Sequence, residues 1–253
     1  MKERIYSDYI MGNRYKEYEE FLKLFLKYDY KFICVKDYEL LNDNDNKYIV
    51  LRHDIDSDIK IAKKMFEIEK KLNIKSTYYF RLCTIDTEFI REIYDYGSEV
   101  GYHYEEIAQY CKDHNVISKE FVINNIDDIK TCMIKNIKKF EDDTNVKIYS
   151  IASHGDFINR KINIPNKYLY QDDIKQKLKL IEAYDIENLI DFRTADTMYP
   201  KFWKRDIKEA INQKSKNVLV LVHPRWWNSS PLIRARLDIQ RIIDEIKYCR
   251  KGE

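Results

Sequence analysis

The sequence predicts an α/β fold built on a parallel sheet. Short β-forming runs alternate with segments of helical period along the chain, the order that parallel β-α units require. The run Asn217-Val218-Leu219-Val220-Leu221-Val222 reads as a strand buried on both faces, as helix-covered parallel strands do. Four of the five histidines (His53, His103, His154, His223) fall at the C-terminal ends of predicted strands, the edge where parallel β/α folds bind ligands.

Tyr18, Phe21, Leu22, Phe25 and Leu26 recur at helical spacing and predict a helix over residues 14–28. A candidate strand at 32–35 precedes the clear one at 48–51. Ile59, Ala62 and Phe66 oppose a Lys-rich face, predicting a helix over 58–73. Residues 76–82 are rich in β-formers. Residues 87–96 read as a short helix stopped by Gly97. A strand at 99–104 and a long helix over 118–140 follow. The next strand, 146–152, ends in Ser153-His154-Gly155-Asp156. Residues 155–170 are polar and read as a loop or lid. Helices are expected at 171–184 and 201–213, with a strand at 189–193 between them. The strand at 217–222 ends in His223-Pro224, and a charged helix spans 232–247. We expect one domain over residues 1–253, with a core of about 47–225 behind an N-terminal helical extension of about 1–46. No Gly-rich loop follows any strand, which argues against a dinucleotide or P-loop site.

The 253 residues are 44% hydrophobic and 35% charged, the composition of a globular chain. The 45 basic and 43 acidic residues nearly cancel and leave no electrostatic footprint for nucleic acid. The N-terminus lacks the apolar core of a signal peptide, and no apolar run reaches the roughly 18 residues of a membrane span. Five scattered cysteines without C-x-x-C spacing read as reduced thiols. A cytoplasmic protein is expected; oligomeric state has no signature in the sequence.

The chemistry concentrates at Tyr48-Ile49-Val50-Leu51-Arg52-His53-Asp54-Ile55-Asp56, an apolar run ending in charge. Charge at the end of a buried strand is costly unless paired or metal-bound. Strand alternation puts Asp54 and Asp56 on one face and His53 and Ile55 on the other. Two carboxylates at a strand mouth suit a metal ligand and a general base. With the strand-end histidines they form a mixed N/O set that fits a divalent metal, Zn²⁺ by ligand type but also Fe, Co, Ni or Mn. Metal, base and an opposed acid together describe hydrolysis of an amide or ester.

Leu51-Arg52-His53-Asp54-Ile55-Asp56, Glu99-Val100-Gly101-Tyr102-His103-Tyr104-Glu105 and Leu221-Val222-His223-Pro224, in that order, resemble the polysaccharide deacetylase family (NodB homology, carbohydrate esterase family 4). The likeness is greatest to its divergent surface-polysaccharide-cluster members with an Arg-His-Asp-x-Asp first motif. The resemblance implies a distorted (β/α)7 barrel and metal-dependent removal of an acetyl group, N- or O-linked, from a sugar or glycan precursor. It implies Asp54 as general base, Asp56 and His103 as metal ligands, and His223 as the acid protonating the leaving group.

The chain departs from that pattern in two places. The second motif of the family is His-x-x-x-His, but Ile107 stands four residues after His103. We expect His154 to supply the third ligand, with Glu105, Glu106 and His53 as alternatives. The third motif also lacks its arginine, leaving Arg52, Arg193 and Arg225 as candidates to orient the base. Asp196, or else Asp191, is the candidate to orient His223. Trp226 and Trp227 follow the last motif, and Trp226 is expected to stack on sugar. Two other readings remain open: a catalytically inactive sugar-binding relative, and a metal-dependent phosphoesterase or amidohydrolase.

Overall fold

In the computed structural model, which describes residues 2–43 and 45–249, the elements follow in the order α1 (Lys2–Ile5), α2 (Tyr15–Lys27), β1 (Tyr30–Ile33), β2 (Lys47–Ile55), α3 (Ile59–Lys71), β3 (Thr77–Phe80), α4 (Thr87–Tyr96), β4 (Glu99–Tyr104), α5 (Glu106–His114), α6 (Lys119–Asn124), α7 (Ile126–Thr144), β5 (Ser150–Ser153), α8 (Phe157–Ile162), α9 (Asp172–Leu178), β6 (Ile181–Glu182), β7 (Phe192–Ala195), α10 (Lys208–Asn212), β8 (Asn217–Val222) and α11 (Pro231–Cys249). The strand pairs are parallel, and the main path runs β6-β5-β4-β3-β2-β8-β7. β2 is the organising strand. One edge pairs with β8; the other pairs with β1 along its first half and with β3 along its second.

Three apolar clusters show how the sheet is curled. Val50, Tyr79, Ala152 and Leu219, from strands far apart on the path, meet Ala183, just past β6, in one cluster enclosed by the inner face. The outer face is split into two larger clusters, one beneath α4, α5 and α7 and one beneath α2 and α3. An inner core wrapped by parallel strands and an outer ring of helices make a distorted (β/α)7 barrel. It is open at one seam: among the described residues no strand pairing joins β6 to β7.

Alternation sets the inner face of β4 as Glu99, Gly101 and His103. The Tyr79 ring crosses Gly101, so a Cβ there would collide with the ring and would lie 2.8 Å from the Ser150 carbonyl oxygen. Glycine at this position lets the Tyr79 hydroxyl reach Ser150 Oγ at 2.7 Å and lay the ring under the site.

Several expected boundaries move. Residues 155–170 are not a loop: Asp156 Oδ1 accepts the Ile158 amide at 2.9 Å and starts α8, and a 3-10 turn covers Asn166–Leu169. The Asn159 and Asn166 amides donate to the carbonyls of Ile164 and His154, giving this polar segment the partners that fix it. The helix expected over 118–140 divides at Asn125 into α6 and α7. The one expected over 171–184 ends at Leu178, and Ile181–Glu182 joins the sheet. Regular helix in 201–213 is confined to α10. α5 was not expected. Cys34, Cys83, Cys111 and Cys132 are free thiols. No helix among the described residues is long and apolar enough to cross a membrane.

Candidate metal centre and hydrolytic site

β2 presents Arg52 and Asp54 to the barrel interior and His53 to the helices outside. His53 Nε2 lies 2.7 Å from Glu69 Oε1, and its ring stacks on Tyr78 with centroids 4.1 Å apart. His53 is therefore no ligand candidate, and only three of the four strand-end histidines face the site. Glu69 also accepts from the Ser76 hydroxyl at 2.5 Å, the Tyr78 hydroxyl at 2.7 Å and the Tyr18 hydroxyl.

Asp56, just past the end of β2, meets His103 from β4 and His154 just past β5. Asp56 Oδ1 lies 3.5 Å from His103 Nε2 and 3.1 Å from His154 Nδ1, and the two ring nitrogens are 3.2 Å apart. A tetrahedral shell with bonds of about 2.1 Å places its donor atoms roughly 3.4 Å from one another. His103 Nδ1 faces the Ala152 carbonyl at 2.9 Å and donates its proton there, leaving Nε2 an acceptor. An acceptor nitrogen, a second imidazole nitrogen and a carboxylate oxygen converging this closely form a donor set for a cation. Burial alone would raise the Asp56 carboxyl, but His154 and then His103 hold it well below the usual carboxylate range.

Asp54 and His223 flank this cluster. Arg52 Nε and Nη2 donate to the two oxygens of Asp54 at 3.1 and 2.8 Å, a bidentate pair that is wholly buried. Burial works against ionisation of Asp54, yet Arg52, followed by His103, keeps its pKa lowered. Asp54 Oδ2 is 3.7 Å from His103 Nε2. The Tyr184 hydroxyl sits 3.2 Å from Arg52 Nη2 and completes the arginine's cage with the Tyr79 ring. On the other flank, His223 Nδ1 donates to Asp196 Oδ1 at 2.7 Å, while Asp196 Oδ2 accepts the His223 amide at 2.7 Å and the Trp227 indole at 2.9 Å. Burial would lower His223, but the Asp196 carboxylate outweighs it, and with help from Asp56 and Asp54 the pKa rises to about 9.

The remaining candidates lie elsewhere. Ile107 is buried in the outer apolar cluster, so the position of the expected second-motif histidine does not face the site. Glu106 is buried beneath Tyr102 and Asn136, and Glu105 is taken by Arg81. Arg193 pairs with Glu187 rather than with Asp54, and Arg225 approaches Asp8 at 3.5 Å, its guanidinium over the Trp226 ring. Trp226 packs partly against the outer cluster under α2 and α3. Asp191 accepts the Lys216 and Asn217 amides, far from His223 along the strand. Sequence reasoning named Trp227 only for its place after the last motif and missed its bond to Asp196, and it missed Tyr184. The indole beside His223 carried a usable signal, because a buried Trp N–H needs an acceptor; Tyr184 carried none.

No protein-family model matches the chain, and no curated protein matches it. Among solved structures, it is similar to wild-type BA3943 from Bacillus anthracis, described as a CE4 family pseudoenzyme, with 15% identity over 78% of this chain and 63% of that one and a TM-score of 0.44. A BA3943 mutant described as having restored enzymatic activity gives 15% identity, 78% and 65% coverage, and a TM-score of 0.45. A mutant of peptidoglycan deacetylase PdaC from Bacillus subtilis gives 12% identity, a TM-score of 0.45, and coverage of 83% of this chain and 100% of that one. The matched region thus spans under two thirds of the BA3943 chains.

Proposed function

We propose that this chain is a metal-dependent hydrolase that removes an acetyl group from a sugar or glycan precursor. The observation that carries the reading is the convergence of Asp56, His103 and His154 between the Arg52-Asp54 pair and the Asp196-His223 pair. Asp56, His103 and His154 would hold the ion, Zn²⁺ by donor type. When bound, such an ion polarises the acyl carbonyl and lowers the pKa of water. Asp54, kept ionised by Arg52, accepts the proton of the attacking water. His223, kept protonated by Asp196, donates to the departing nitrogen or oxygen, so water and the acetylated sugar become acetate and the free amine or alcohol.

The test is metal content and acetate release from protein purified without added metal. One ion per chain is expected; two would point to a two-metal phosphoesterase. Asp54→Asn should keep the ion and lose about 10²–10⁴-fold in acetate release. His154→Ala should sharply lower occupancy, and unchanged occupancy would remove His154 from the ligand set. Ile107→His should not compensate, because that side chain points into the apolar cluster. A metal-loaded wild type that releases no acetate from any acetylated sugar would leave the inactive, sugar-binding reading.

A further inference from the structure

α11 is built inside out. It is held to the body through charge at two points: Arg234 is 2% exposed and donates to Asp58, while Asp238 accepts from Arg4 at 2.7 Å and from the Tyr9 hydroxyl at 2.8 Å. Its aliphatic side faces outward. Leu232 is 88% exposed, and Ile239, Ile242, Ile243 and Ile246 are each exposed by about half or more. A surface helix of a globular protein normally does the reverse, and a contiguous exposed aliphatic stripe marks a surface made to be covered.

The start of this stripe lines a groove of about 870 Å³ that also takes in Asp56. Ile59, Leu232, Ile233 and Leu237 supply its apolar wall. Lys60 and Arg236 stand at its rim, both exposed and neither in an ion pair among the described residues, unlike Lys63 and Arg81, which are paired with Asp86 and Glu105. The groove thus brings together Asp56 of the candidate metal centre, two cations without an ion pair among the described residues and an aliphatic wall. That combination suits a molecule with a polar reacting end, an anionic link and a hydrocarbon chain.

We propose that the groove takes a substrate whose acetylated sugar is joined through a phosphate to an aliphatic lipid chain, the phosphate lying between Lys60 and Arg236 and the chain along Leu232 and Leu237. Which end holds the sugar rests on the deacetylase reading; the binding of the lipid phosphate does not.

Calorimetry on metal-free full-length protein separates the two. Dodecyl phosphate, below its micellar concentration, should bind about tenfold or more tightly than inorganic phosphate or dodecyl maltoside. Leu232→Gln with Leu237→Gln, both exposed and so without cost to folding, should weaken it about tenfold. Lys60→Gln with Arg236→Gln should do the same while leaving dodecyl maltoside unaffected. Equal binding of the three probes, or indifference to both pairs of substitutions, overturns the proposal. So does light scattering that shows a dimer which Ile242→Gln with Ile246→Gln dissociates, and so does binding to anionic vesicles without binding to monomeric dodecyl phosphate. Probe binding without acetate release would sink the deacetylase reading alone; acetate release without probe binding would sink this one alone.

Discussion

His223 shows how one neighbour decides what a side chain can do. Burial would strip its proton, yet Asp196 at 2.7 Å raises its pKa to about 9. The raised folded value means that the pair's stabilisation is complete below the ordinary histidine value of about 6.5 and is lost as pH rises through about 9. In metal-free protein, the His223 ring signals in NMR should titrate near 9, and Asp196→Asn should bring the midpoint down. Since the proposed acid must be protonated, hydrolysis should fall on the alkaline side, and at lower pH in Asp196→Asn than in the wild type. An unchanged midpoint would remove Asp196 as the cause. At this scale part of the candidate site was legible. Strand alternation paired Asp54 with Asp56, whereas Arg52 was one of three arginines left open to orient the base, and only the fold sets it against Asp54. Trp227 was out of reach of such counting, because the 3-10 turn after His223 sets where its indole falls.

At the scale of elements, the outer face of β2 matters as much as the inner. Glu69 from α3 gathers His53 from β2, Ser76 and Tyr78 from and beside β3, and Tyr18 from α2. Burial would raise the Glu69 carboxyl, but His53 outweighs it and the pKa is lowered. The stability this confers is present above the ordinary Glu value of about 4.3 and is lost as pH falls through the folded value. Glu69→Ala strands all four partners and should cost about 3–5 kcal/mol in urea unfolding. A loss under about 1 kcal/mol would show the network to be incidental. On β4, Gly101→Ala should cost about 1–3 kcal/mol by overpacking against Tyr79 and the Ser150 carbonyl, read from the shift in denaturation midpoint. Helices with a clear apolar stripe, α2 and α4, were legible nearly to the residue. α8 and β6 were not: the first depends on asparagine side chains bonding backbone groups, the second on a partner strand, and neither leaves a period in the sequence.

For the molecule as a whole, the alternation of strands and helices announced parallel β-α units and the family resemblance implied a barrel, but neither gave the strand order. β8 sits between β2 and β7, so β2 takes a neighbour about 170 residues away, a relation no local pattern records. The same arrangement predicts uneven opening. In hydrogen exchange, amides of β2 and β8 at the centre should be the last to exchange, and those of β6 and β7 beside the open seam should go first. Uniform protection across the sheet would mean that the seam is closed in solution. The position of β2 also bears on how the chain finds its fold. A strand displaced by one residue turns every side chain to the other face. Such a slip would offer His53 and Ile55 to the barrel and push Arg52 and Asp54 among the helices. Glu69, with Tyr18, Ser76 and Tyr78, can be satisfied only when His53 arrives on the outside. The helices thus proofread the strand from behind: a chain that closes this outer lock has, by the same step, set its reactive carboxylates facing the right way.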